Sequence, residues 1–164
     1  MSEPEAPWPF TFDAAGFAIR RAEAADAPAI ADMIRRVVAT TNAPDYPVDA
    51  LLQVMAGYRE TRIAASLRLG PILIAEGAEG PIGTAALARD RIEAVFVLPA
   101  WQGTGVGTAL VSQVVEAARG RGVRVLRVLA SLTATGFYRR LGFVTLGAPV
   151  GERIPMVPMA LRLD

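Results

Sequence analysis

Apolar positions change period along this chain, and the changes mark its elements. Ile30, Met33, Ile34, Val37 and Val38 recur at helical spacing, with Asp32, Arg35 and Arg36 on the opposite side. A helix is predicted there, with Asp26 as its N-cap and Pro28 in its first turn. It is expected to fade at Thr40-Thr41-Asn42. Pro47 reopens a helix that carries Leu51, Val54, Met55 and Tyr58 on one face, and a further helical piece holds Ile63, Ala64 and Leu67 before Gly70-Pro71. A first strand, residues 17–21, precedes all of these. From Pro71 the period shortens to two. Residues 72–76, 82–89 and 92–98 read as an antiparallel meander, the last two strands joined by Asp90-Arg91.

Helical spacing then returns. Val106, Leu110, Val114 and Ala117 share a face, with Thr108, Ser112, Glu116 and Arg119 opposite. Residues 123–129 form a buried strand, so residues 92–129 make a right-handed βαβ unit with parallel strands. A short helix at 133–141, a strand at 143–146 and a last strand at 156–163, weakened by Pro158, complete the pattern. The fold class is α+β. Residues 16–164 read as a single domain, and residues 1–15, acidic and Pro-rich with no basic start, as an extended tail rather than a secretory signal.

Composition narrows the chemistry. There is no Cys, no His and no Lys; all 17 basic residues are arginine. That removes thiolate and Ser-His nucleophile machinery, the commonest metal ligands, the lysine of a phosphate-binding P-loop and any Schiff-base lysine. No metal is expected. A hydrophobic fraction of 52% without a membrane-length apolar run points to a cytoplasmic protein with no membrane contact, monomeric or homodimeric. A net charge of +1 gives no reason to expect nucleic acid. The charge is uneven: residues 1–116 hold 14 acids and 9 arginines, and residues 117–164 hold 2 acids and 8 arginines. Either chance and solvated faces account for this, or a basic half faces an anionic ligand.

The chain is organised around residues 91–110, where a β-rich segment runs through Pro99 and a glycine-studded turn, Gln102-Gly103-Thr104-Gly105-Val106-Gly107, into a helix. Free N–H groups and the positive end of a helix dipole suit an anion at such a turn. A dinucleotide fingerprint fails, because its third glycine falls on Thr108 or Leu110 and no acid lies between Glu116 and Glu152 for a ribose.

What remains, Gln102-x-x-Gly105-x-Gly107 after residues 93–99, resembles the acyl-CoA motif of the GNAT-type (Gcn5-related) N-acetyltransferases. A second segment, Phe137-Tyr138-Arg-Arg-Leu-Gly142-Phe143, resembles that family's other signature. Ser131 stands where many members have Asn, and Pro149 and Pro155 interrupt the C-terminal strand pair. The resemblance implies a GNAT-like, mostly antiparallel sheet with a splayed parallel strand pair and flanking helices. It implies acetyl-CoA as cosubstrate and an amine acceptor, a small molecule or a protein amino group.

It further implies that the pyrophosphate lies on the N–H groups of Gly103, Thr104, Gly105, Val106, Gly107 and Thr108, and that backbone groups of Val95, Phe96 and Val97 hold the pantetheine. An N–H of Val97 or Leu98 then polarises the thioester carbonyl. Gln102 bonds phosphate or braces the loop. Ser131 holds a water or an amide, or caps a helix. By resemblance Tyr138 is the acid for the leaving thiolate, unless it is a core aromatic. Glu93 is the candidate base, directly or through water, unless it is merely solvated; on a regular strand it shares a side with Val95 and Val97. Arg119, Arg121, Arg139 and Arg140 are candidates to neutralise phosphate. Without Cys, transfer is expected to be direct, in a ternary complex. The rival expectation is a non-catalytic acyl-CoA-binding module.

Overall fold

The computed structural model describes residues 16–164, so the expected tail lies outside the described residues. The strands are β1 (Ala18–Arg21), β2 (Ile72–Gly77), β3 (Gly80–Ala88), β4 (Arg91–Val97), β5 (Val125–Ser131), β6 (Val144–Thr145) and β7 (Met156–Arg162). They form one sheet in the order β1-β2-β3-β4-β5-β7-β6, antiparallel throughout except for the parallel pair β4–β5.

Helices α1 (Ala27–Val37), α2 (Val48–Gly57) and α3 (Glu60–Ser66) cover one face. Their core is Ile30, Met33, Ile34, Leu51 and Ile63 against Ile72, Ile74 and Ala86. Helix α4 (Val106–Gly120) covers the other face, setting Val106, Leu110, Val111 and Val114 against Leu73, Ala85, Leu87 and Leu126. The short α5 (Thr135–Arg140) follows β5 on that side.

Local chemistry accounts for the departures from the predicted elements. After α1 the chain widens into a π-type turn over Val38–Asn42 instead of fading, and Thr40 donates its hydroxyl to the Arg36 carbonyl at 2.7 Å. Asp26 does sit at the N-cap position of α1, but its carboxylate caps nothing there. It accepts the Glu23 N–H at 2.7 Å and two bonds from the Arg20 guanidinium, which also grips Glu76. The β3–β4 turn is Arg89-Asp90, with Arg89 at φ 58°, one residue earlier than expected. Pro158 is tolerated inside β7 because its backbone faces β6: its carbonyl accepts from Leu146, and β6 is only two residues long.

One feature of the sheet positions the site. β4 and β5 pair only at Arg91↔Arg127 and Ile92↔Val128, after which they part. Where they part, β4 carries a bulge. The register with β3 shifts so that Ala94 and Val95 together oppose Ala85, and Ala94 takes φ 52°. The extra residue breaks the alternation. Glu93 lies opposite Ala86 on the α1–α3 face, with Phe96 after the bulge, whereas Val95 and Val97 turn to the α4 face. The expectation that Glu93 shares a side with Val95 and Val97 is therefore corrected. It assumed a regular strand, and the bulge resets the faces.

Candidate active site

The bulge is held by side chains rather than by the ladder. Thr84, wholly buried in β3, donates its hydroxyl to the Ala94 carbonyl at 2.8 Å. On the same face the Tyr58 hydroxyl lies against the Ala94 N–H and near the Glu93 carboxylate. Burial chiefly raises the Tyr58 pKa, the Glu93 charge adds to the rise, and the Ala94 N–H opposes it. The Tyr58 ring stands edge-on to Phe96 at 5.0 Å. Neither Thr84 nor Tyr58 figures among the sequence candidates. A lone hydroxyl inside the apolar run of β3 was a signal for the first; Tyr58 gave none beyond its place on an apolar helix face.

Along the parted edge, alternation decides which backbone groups are available. Leu98 donates its N–H to the Ile82 carbonyl at 2.8 Å, so it faces β3 and is not free for a thioester. Phe96, two residues earlier, turns its backbone the same way. Val95 and Val97 face the gap. The Val97 carbonyl accepts from Gln102 Nε2 at 3.0 Å, and the same nitrogen donates to Thr41 Oγ1 at 3.1 Å. Gln102 thus ties the mouth of the gap to the π-type turn after α1, which is the bracing alternative for this residue.

The glycine turn sits at the same mouth. Gly103 and Gly105 adopt φ 73° and 97°, and a Cβ on either would meet nothing within 4 Å. Gly105 is the N-cap of α4, and the first bond of that helix runs from the Ala109 N–H to the Gly105 carbonyl at 2.9 Å. The N–H groups of Val106, Gly107 and Thr108 therefore point off the helix end, with no acid in the first turn to answer them. At Gly107 a Cβ would make an ordinary packing contact, 3.4 Å from the Phe137 ring. Thr104 donates its hydroxyl to the Trp101 carbonyl, and Thr108 is exposed.

Across the gap, Ser131 ends β5 with its hydroxyl 3.4 Å from that of Thr133 and makes no cap bond. Tyr138 on α5 is 4% exposed and stacks edge-on with Phe137 and Phe143 at 5.1 and 5.4 Å. No fully buried side-chain polar atom lacks a partner among the described residues, and no hydrogen-bond partner is seen for the Tyr138 hydroxyl, so a part of that hydroxyl meets solvent. Burial pushes its pKa far above the ordinary phenol value, and the Tyr58 phenol, on the opposite layer, adds to the rise. Tyr46, in the loop before α2, sets its hydroxyl beside the Leu132 N–H beyond β5, so that loop crosses from one side to the other.

The arginines divide. Arg139 and Arg140 are exposed on α5. Arg119 and Arg121 lie at the far end of α4, about 20 Å from its N-terminus, where Arg119 pairs with Glu116. They are thus removed from the phosphate candidates. No helix among the described residues is long and apolar enough to cross a membrane.

A family model for the acetyltransferase (GNAT) domain matches residues 60–163. The fold superimposes on a GCN5-related N-acetyltransferase from Rhodopseudomonas palustris, also named a class-II aminotransferase, with a TM-score of 0.81 and 29% identity over 90% of this chain and 96% of that one. It also superimposes on yncA of Salmonella typhimurium, solved with its cofactor acetyl-CoA, with a TM-score of 0.65 and 26% identity over 91% and 95% of the two chains. The PaiA N-acetyltransferase of Thermoplasma acidophilum, solved with coenzyme A, shares the fold at 15% identity and a TM-score of 0.78, over 90% and 99% of the chains. An uncharacterized N-acetyltransferase of Methanocaldococcus jannaschii is 40% identical over 56 residues, a stretch spanning 32% of this chain and only 25% of that protein. This chain belongs to the GNAT acetyltransferase family.

Proposed function

We propose that this protein moves an acetyl group from acetyl-CoA directly to a primary amine in a ternary complex. The observation that carries the reading is the parting of β4 from β5 beyond Ile92 and Val128, with a helix N-terminus at its mouth and Glu93 and Tyr58 on the opposite layer. The open space at Gly103 and Gly105, beside the unanswered N–H groups of Val106, Gly107 and Thr108, fits a pyrophosphate. The edge facing the gap, at Val95 and the Val97 N–H, fits the amides of pantetheine. Acetyl-CoA supplies an acetyl group activated as a thioester.

The amine arrives as an ammonium with a pKa of about 10.4. Glu93 takes one proton from it, directly or through a water. The freed nitrogen attacks the thioester carbonyl while the Val97 N–H supports the developing oxyanion, and the C–N bond forms as the C–S bond breaks. Tyr138, kept protonated by burial, gives its proton to the departing sulfur. The second proton lost by nitrogen restores the phenol, so one proton in all leaves to solvent.

Thiol release by the full chain from acetyl-CoA over a panel of amines tests this, with CoA binding followed by calorimetry. Turnover on at least one amine is expected. CoA binding with no release on any amine would make the protein a non-catalytic acyl-CoA-binding module.

A further inference from the structure

On the α1–α3 face, beside the bulge, lies a small pocket. Ile30, Ile34, Ile63 and Ile72 wall it, and Tyr58 and Glu93 stand at its side. The remaining hydroxyls in its lining are engaged. Ser66 donates to the Arg62 carbonyl at 2.9 Å and Thr84 to the Ala94 carbonyl at 2.8 Å. The lining contains one carboxylate, Glu93, and no arginine. The acids near the loop that crosses the gap do not extend it: Asp45 and Asp49 are exposed, and Asp49 pairs with Arg153 at 3.1 Å. The pocket therefore offers one negative charge, one phenol and an apolar wall. It has nothing to pair a substrate carboxylate and nothing to pair a second ammonium.

Resting on the acetyl-transfer reading above, we propose that the acceptor is a primary monoamine with a short apolar tail, branched aliphatic or compact aromatic, and no other charge. The ammonium sits against Glu93, whose strand parts from β5 just beyond Ile92, and the tail lies among the isoleucines. A second charge would be buried unpaired, which such walls reject strongly. A peptide N-terminus would bring amide groups against walls that have no free donor for them.

Thiol release from acetyl-CoA by the full chain compares four acceptors: 3-methylbutylamine, leucine (the same skeleton with a carboxylate added), 1,5-diaminopentane and a leucyl dipeptide amide. The expected result is a kcat/KM for 3-methylbutylamine about tenfold or more above each of the others. Ser66 is exposed at the rim, and Ser66→Asp adds a second carboxylate there, so it is expected to shift the ratio toward the diamine by about tenfold. Highest turnover on leucine, the diamine or the peptide overturns the proposal and leaves acetyl transfer standing. An unchanged ratio in Ser66→Asp also overturns it, since the acceptor then lies elsewhere. No release with any amine, while CoA still binds, overturns the acetyl-transfer reading and this proposal together.

Discussion

The Thr84 hydroxyl and the Ala94 carbonyl are joined by a 2.8 Å hydrogen bond that closes the bulge from below. Thr84→Val keeps the shape and leaves that carbonyl without its donor, a loss of about 1–3 kcal/mol in folding stability by the usual cost of an unmet buried group. The bulge sets the Val95–Val97 edge, so the variant is also expected to raise KM for acetyl-CoA and lower kcat. Thr84→Ser restores the donor and should recover most of both. Denaturant unfolding and steady-state kinetics on the three proteins check this; equal losses in Val and Ser variants would show that packing, not the hydroxyl, matters.

Gly105 holds φ 97° with open space where a side chain would project. Gly105→Val is expected to cost about 1–2 kcal/mol in stability from the left-handed backbone. A loss of CoA affinity well beyond that, read by calorimetry on the folded variant, reports a ligand in the space, because the protein has nothing within 4 Å of the Cβ position. Retained CoA binding would remove the phosphate from this turn.

Burial raises the Tyr138 pKa above its ordinary value of 10.0. The unfolded chain loses that proton first, so the associated stability is present below pH 10 and declines as pH rises further. Tyr138→Phe should reduce the alkaline decline in thermal unfolding to the part that Tyr46 and Tyr58, also raised by burial, contribute, while leaving the fold intact. It should also lower kcat by about 10²-fold, the usual scale for a general acid. Unchanged turnover would return Tyr138 to the role of a core aromatic.

Glu93→Gln removes a proton acceptor but leaves the side chain's size. The loss in kcat/KM is expected to be largest near pH 7, where the amine is charged, and to shrink as pH approaches the amine pKa of about 10.4. A pH-independent loss would point to positioning rather than proton removal.

Arg20 holds both Asp26 and Glu76 below their ordinary pKa values, through its hydrogen bonds first. A lowered carboxylate pKa gives stability that is present above the unfolded value, 3.8 for Asp26 and 4.5 for Glu76, and is lost as pH falls below it. Asp26→Asn is expected to cost about 1 kcal/mol near neutrality, the pair being partly exposed, and nothing measurable at strongly acid pH. Unfolding midpoints across that range provide the check.

Element order was legible in the sequence because period carries it: the isoleucines of α1, the alternation in β2 and β3 and the apolar face of α4 leave little choice. The glycine turn was legible because Gly103 and Gly105 need positive φ. The bulge was not legible, since nothing about an alanine announces φ 52°, and every face assignment before it shifts with it. Glu93 was a candidate in the sequence but was grouped on one side with Val95 and Val97 for that reason. Tyr58 and Thr84 were hidden because their work is done on the backbone of Ala94, a contact with no sequence spacing of its own. For Arg119 and Arg121 the sequence left a phosphate role and a solvated basic face both open, because charge counts along the chain carry no information on which end of a helix meets a ligand.

The two register pairs that join β4 to β5 have a further consequence. They make the sheet two panels fastened at one corner, β1–β4 with α1–α3 on one side and β5, β7 and β6 on the other. The pocket beside Glu93 is built wholly from the first panel. Tyr138 belongs to the chain that follows β5. If the acceptor lies in that pocket as proposed, it can be exchanged for another, over generations of sequence change, by rewriting residues of the first panel alone. Tyr138, the proposed proton donor for the leaving group, stays untouched on its separate panel.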